Sequence, residues 1–175
     1  ISFNEILAVF QAKNIKVTGA FHVGAHECEE LPFYHDLGLE DKDILWVEAM
    51  DKKVEQAIVR GIPNMYNAVI TDKDDQVITF NISNNGQSSS VLEFGTHSTE
   101  HPYVFYIEKV EKKSVSIDTF FDRHNLDASI YNFWNFDILF HSCAFDFYRS
   151  SVSTFNLFNS FVNKNCFEAA MENSG

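Results

Sequence analysis

Two residues have the types and spacing to hold a ribose-bearing ligand. Gly24 follows an apolar run, Val17–Val23, and Glu48 stands 24 residues later at the end of the next run, ILWVE. A glycine lets the chain turn sharply or approach a ligand where a Cβ would intrude. The Gly24-Ala25-His26 turn, placed at the head of a helix, is expected to offer free amide N–H groups and the positive end of a helix dipole to a carboxylate or phosphate. An acid at the end of the second strand, at about this spacing, accepts hydrogen bonds from ribose hydroxyls in nucleotide-binding α/β folds. His26 and Cys28 interrupt any G-x-G-x-x-G, and there is no G-K-[ST]. A cofactor with a carboxylate end therefore fits better than a pyrophosphate or a nucleoside triphosphate, and S-adenosylmethionine is the obvious candidate.

Other chemistry-bearing residues have plainer readings. His22, His26 and Glu29 lack a further Cys/His cluster and read as polar residues satisfied around the turn, not as metal ligands. Gln87-Ser88-Ser89-Ser90 follows Gly86 in a Ser-rich turn that is either solvated or turned toward a ligand. His97 and His101 flank a polar loop and are candidate general bases. Tyr131, Phe133, Trp134 and Phe136 read as strand core.

These groups need a scaffold, and the chain supplies a βαβαβ rhythm. Ser2–Lys13 predicts an amphipathic helix with Ser2 and Glu5 at capping-box spacing. Strands are expected at Lys16–Val23, Ile44–Ala49 and Asn64–Ile70. The helices between them are Glu29–Leu37, with Pro32 in its first turn and Gly38 as its stop, and Lys52–Arg60, capped by Asp51 and closed by Gly61. That alternation predicts a parallel, doubly wound sheet. Gln76–Ser83 and Ser89–Phe94 then predict a hairpin around Asn84-Asn85-Gly86. Short strands at Val104–Ile107 and Ser114–Ile117, a short helix capped by Asp118, and an apolar strand, Tyr131–Ile138, ending in Asp137 complete the expectation.

Size and composition bound the partners. The 175 residues suit one domain with a single core, and 45% hydrophobic with 22% charged residues is ordinary for a globular chain. A net charge of −12 disfavours nucleic acid and anionic membrane as main partners. The three cysteines, Cys28, Cys143 and Cys166, show no CxxC pairing, which points to a reducing, cytoplasmic setting. There is no signal-peptide pattern and no run long enough for a membrane span. Leu139–Gly175 is crowded with Phe, Ser and Asn, and reads as an atypical segment of the same domain or a poorly ordered tail. Its phenylalanines favour burial, either against its own sheet or against a second copy.

VGAHECEELPFY, ILWVEAM, YNAVITDKD, FNISNNGQSSSVLE, SIDTFF and YNFWNFDI, in that order across about residues 17–138, together resemble the FkbM family of S-adenosylmethionine-dependent methyltransferases. The resemblance implies a Rossmann-like class I methyltransferase fold over residues 1–138: a central, mostly parallel sheet with an inserted β-hairpin, cut short at its C-terminal end. It implies O-methylation of a sugar or other small hydroxylated acceptor. By position, His22, Gly24, Ala25 and His26 would line the cofactor loop, and Glu48, with Ala49 beside it, would hold the ribose. Asn67, Ala68 and Val69 would lie near the adenine, Ser89 would reach cofactor or acceptor, and Asp137 would face cofactor or acceptor. Asp137 and His97 are the residues expected to act as base. His22 stands where many members carry Asp. After Ile138 the family usually continues with Gln-Gly and a Glu-containing helix, whereas this chain runs Leu139-Phe140-His141-Ser142-Cys143, like a replaced or frame-shifted continuation. The alternative expectation is a catalytically inactive, methyltransferase-like binding or structural subunit.

Overall fold

The computed structural model describes residues 2–92 and 102–137. They form a mixed α/β chain of two compact units, residues 2–67 with 126–137 and residues 68–92 with 102–125. In chain order the elements are α1 (Phe3–Ala12), β1 (Ala20–Val23), α2 (Leu31–Asp36), β2 (Ile44–Glu48), α3 (Asp51–Val59), β3 (Met65–Asn67), β4 (Val69–Ile70), β5 (Val77–Ser83), β6 (Tyr106–Val115), α4 (Ile117–Arg123) and β7 (Phe133–Phe136). Short 3-10 turns occupy Asp41–Asp43 and Ala128–Ile130.

The first unit is built on a four-stranded, wholly parallel sheet in the order β3-β2-β1-β7. Parallel strands are normally covered on both faces, and β1, β2 and β7 are buried at every residue. Register places Ala20 between Ile44 and Phe133, and His22 between Trp46 and Asn135. Alternation therefore puts all six on one face. There Ile6 and Phe10 of α1, Phe33 and Tyr34 of α2 and Ala57 of α3 share a core with Ala20, Ile44, Trp46 and Phe133. On the other face Phe21 meets Trp134 edge-on at 5.1 Å between ring centroids and Phe136 at 6.1 Å.

Local signals explain most of these elements. The Ser2 hydroxyl accepts from the Glu5 N–H at 3.3 Å while the Ser2 N–H donates to the Glu5 carboxylate at 2.6 Å, the predicted capping box. Pro32 sits in the first turn of α2, and Gly38, at φ +86°, follows its C-cap Leu37. Strand β1 is shorter than Lys16–Val23 because Asn132 intervenes. Its side chain accepts the Thr18 N–H at 2.8 Å and donates to the Lys16 carbonyl at 2.9 Å, so residues 16–18 bond a side chain instead of a strand. Helix α3 begins at Asp51 itself, with Met50 as N-cap and no side-chain cap. The expected third strand divides, β3 joining β2 in the first unit and β4 joining β6 in the second.

In the second unit β6 runs between β4 and β5, parallel to the first and antiparallel to the second. The expected hairpin is met in part, and the long partner of β5 is β6. Around Asn84-Asn85-Gly86 the Asn81–Ser90 pair is the one bridge among the described residues, residues 93 and 94 of the expected strand lie outside them, and β5 pairs along its length with β6. Strand β6 is one ten-residue strand, not two short ones. Its run EKVEKK is charged because most of it is exposed, and an antiparallel strand needs cover on only one face. The cap of α4 is the Ser116 hydroxyl, which accepts the Thr119 N–H at 3.3 Å, so Asp118 lies in the first turn instead. Among the described residues no helix is long and apolar enough to cross a membrane.

Candidate functional site

The glycine turn and the acid expected at the carboxyl ends of adjacent parallel strands come together in the first unit. Gly24, at φ +90°, turns the chain out of β1, and His26 and Cys28 also have positive φ, 42° and 58°. Three such residues in five coil residues 24–28 tightly, at a conformational cost for the two that carry a Cβ. The coil is held by the end of β2. The Gly24 and Ala25 N–H groups both donate to the Val47 carbonyl, at 2.8 and 3.1 Å, and the His26 N–H donates to Glu48 Oε2 at 2.7 Å. Glu48 is 6% exposed, and its Oε1 accepts the Met50 N–H at 2.8 Å. Asn67, at the end of β3, donates to the Glu48 and Ala49 carbonyls at 3.1 and 3.3 Å, which steadies the chain on either side of that carboxylate.

The glycine loop and the acid 24 residues on do meet, but the loop's amides are not free. Besides the three above, the Glu27 N–H donates to Glu29 Oε2 and the Cys28 N–H to the Ala25 carbonyl. Helix α2 starts only at Leu31, so the coil does not sit at a helix head. The expected amide cradle for a carboxylate is therefore absent: residues 24–28 spend their donors on their own fold. Lys53 and Arg60 of α3 fasten the coil further, through the Glu27 carboxylate and carbonyl respectively.

What remains unpaired defines the site better. Among the described residues five buried side-chain atoms lack a partner, and four belong to the first unit: His22 Nε2, His26 Nε2, Trp46 Nε1 and Asn135 Oδ1. His22, Trp46 and Asn135 are neighbours across β1, β2 and β7. The Tyr34 hydroxyl lies 2.8 Å from His22 Nδ1 and accepts from Asn135 Nδ2 at 3.3 Å. Burial pushes the Tyr34 hydroxyl upward, so it keeps its proton. Burial also drives the His22 imidazole down to about 3, against smaller upward pulls from the Gly24 backbone and Glu29. His22 is thus neutral. It supplies no charge where an Asp would.

Carboxylates gather at the ends of β1 and β7. The Asp137 N–H donates to the Val23 carbonyl at 2.9 Å, which fixes Asp137 beside the loop. Its side chain is exposed, yet the protein around its carboxyl and the charge of Glu29 hold it above the usual range, while His26 pulls it down. Glu30 is pushed up to about 7, first by burial and then by Asp137 and Glu29. Glu29 ends below the usual range: burial raises it, but the His26 hydrogen bond and the amides of Glu29 and Glu27 outweigh that. Burial pushes the Cys28 thiol up to about 12, so it is not a nucleophile.

The other candidates belong to the second unit or lie outside the described residues. Ala68 and Val69 open the second unit, where Val69 is buried in β4. Ser89 also belongs there. Its hydroxyl donates to the Gly86 carbonyl at 2.7 Å and accepts the Ser83 N–H at 3.0 Å, a turn closed on itself. His97, His101 and the Phe-rich segment 139–175 lie outside the described residues. Among the described residues no group of three His, Cys, Asp or Glu side chains is placed to hold a metal ion. Sequence pattern alone does not mark Glu30, Tyr34, Trp46 or Asn135 as part of the site. The available signal for Asn135 was a polar residue in an otherwise apolar strand, FWNF. No family model, curated protein or solved structure significantly matches the chain.

Proposed function

We propose that this chain is an S-adenosylmethionine-dependent methyltransferase of the FkbM type, built on a Rossmann-like fold and acting on a hydroxyl of a sugar or other small acceptor. One observation carries the reading: Glu48, at the carboxyl end of β2, is hydrogen-bonded at 2.7 Å to the Gly24 loop at the carboxyl end of β1. Ribose-binding α/β sites bring together that pair, a glycine turn and an acid on adjacent parallel strands. The strand order β3-β2-β1-β7 is compatible with it, since the order reverses between β1 and β7, where open sheets leave a crevice for ligands.

The residues fit the donor-rich parts of that cofactor. Each Glu48 oxygen has taken one amide and keeps lone-pair capacity for a ribose hydroxyl. Glu30 and Asp137 suit an ammonium group, while the closed amides of residues 24–28 offer nothing to a carboxylate. When bound, S-adenosylmethionine supplies an already activated methyl group, so the protein's task is to align the acceptor and receive a proton. The same closed amides favour a second reading, a catalytically inactive binding or structural subunit.

Isothermal calorimetry separates the two. S-adenosylmethionine and its demethylated product should both bind, and Glu48→Gln, which keeps one acceptor oxygen for the backbone, should weaken both about ten- to a hundredfold. A folded, monodisperse protein that binds neither would overturn the enzyme reading in favour of the second.

A further inference from the structure

His26 is held at both ends. Its backbone N–H is fixed by Glu48, and its ring Nδ1 lies 2.8 Å from Glu29 Oε1. Glu29 is itself pinned, because its Oε2 accepts the Glu27 N–H at 2.9 Å. A carboxylate held ionised can only accept, so the hydrogen of this contact belongs to Nδ1. In a neutral imidazole that leaves Nε2 as a bare lone pair, and Nε2 is buried without a partner while the ring keeps 17% of its side-chain surface open. A buried acceptor with no donor is costly, and a ligand hydroxyl that reaches it recovers that cost.

We propose that Glu29 and His26 form a carboxylate–imidazole pair in which Glu29 is the positioning residue and His26 Nε2 accepts the proton of the acceptor hydroxyl. The role rests on the transfer reading above. As the hydroxyl oxygen forms its bond to the methyl carbon, the carbon–sulfur bond breaks and its electron pair returns to sulfur. Nε2 takes the hydroxyl proton, the resulting imidazolium is stabilised by Glu29, and the proton later passes to water. The charged groups that interact with the ring are Glu27 and Glu29 of its own loop and Asp137 after β7, while Glu48 of β2 meets the His26 backbone. Lys53 and Arg60 of α3 are engaged with Glu27.

The tautomer is measurable without any ligand. In uniformly ¹⁵N-labelled protein, two-bond ¹H–¹⁵N correlations should place the His26 proton on Nδ1, and a proton on Nε2 would overturn the proposal. Glu29→Ala should move the proton to Nε2, and Glu29→Gln, which keeps an acceptor oxygen, should hold it on Nδ1. An unchanged tautomer in Glu29→Ala would remove Glu29 from the positioning role. Transfer is then read with methyl-tritiated S-adenosylmethionine and a mixture of monosaccharides. His26→Gln should lower it about a hundredfold with cofactor affinity unchanged, because the backbone and not the ring meets Glu48. Equal transfer by the variant, or none by wild-type protein that binds the cofactor, would overturn the proton-acceptor role. Failure of wild-type protein to bind the cofactor instead refutes the transfer reading and takes that role with it, while the tautomer of the free protein stands.

Discussion

Two turns in this chain carry glycine and polar residues at the end of a strand, and they spend their hydrogen bonds differently. The turn after β5 satisfies its own hydroxyls: Ser83 donates to Asn85 Oδ1 at 2.7 Å, Ser88 accepts from Asn85 Nδ2 at 3.0 Å, and Ser89 bonds Gly86 and Ser83. The coil after β1 satisfies its amides with equal thoroughness but leaves His26 Nε2 over, as β1 leaves His22 Nε2, and raised carboxyls at Glu30 and Asp137 accompany them. Composition alone makes both turns candidates for ligand contact. Leftover capacity distinguishes them, because a group already bonded within the protein has little to gain from a ligand.

The sharpest way to break that contrast is at Glu48, which serves the fold as well as the proposed ribose. Glu48→Ala leaves the His26 and Met50 amides without their charged acceptor, a loss of about 3 kcal/mol in unfolding free energy by urea titration. Glu48→Gln should lose less than half of that. If Glu48→Ala were as stable as wild type, the coil would not depend on β2, and its leftover groups would not mark a preorganised site.

Titration probes the leftover groups themselves. His22 sits near 3 when folded and about 6.5 when unfolded, so the unfolded chain binds more protons between those values. Its contribution is complete above pH 6.5 and lost toward pH 3, at about 1.4 kcal/mol per pH unit. Glu30, raised from 4.5 to about 7, acts in the opposite sense: the folded chain binds more protons from pH 4.5 to 7, and stability falls as pH rises through that window. The two slopes oppose one another between pH 4.5 and 6.5. Relative to wild type, His22→Asn should gain stability on acidification across that range, and Glu30→Gln should lose it. Parallel pH–stability curves for wild type and both variants would mean neither group is perturbed.

Much of this architecture was legible because its signals are local. The Ser2–Glu5 box, Gly38 after α2 and the apolar runs of β1 and β2 each report the few residues around them. The meeting of Gly24 with Glu48 was legible too, since spacing on adjacent parallel strands converts directly into proximity. Pairing between distant segments was not. Nothing near Asn132 announces that its amide will replace the ladder at residues 16–18, and the charges of EKVEKK hide a strand whose partner lies some thirty residues away. The closed amides of residues 24–28 escaped for the same reason: their main acceptors, Val47 and Glu48, belong to the next strand.

The smallest effect expected is at the self-contained turn, and it tests whether closure there is complete. Ser89→Ala removes the acceptor of the Ser83 N–H and the donor to the Gly86 carbonyl, both half-buried. Unfolding free energy should fall by about 1 kcal/mol, the ordinary worth of such a hydrogen bond in a site that water partly reaches. Affinity for S-adenosylmethionine should not move, because the one proton of the Ser89 hydroxyl is committed to the Gly86 carbonyl and the turn holds the group in place. A tenfold loss of affinity with little loss of stability would show the reverse, that Ser89 leaves the turn to meet a ligand. The turn after β5 would then belong with the coil after β1 as a site whose resting hydrogen bonds are placeholders.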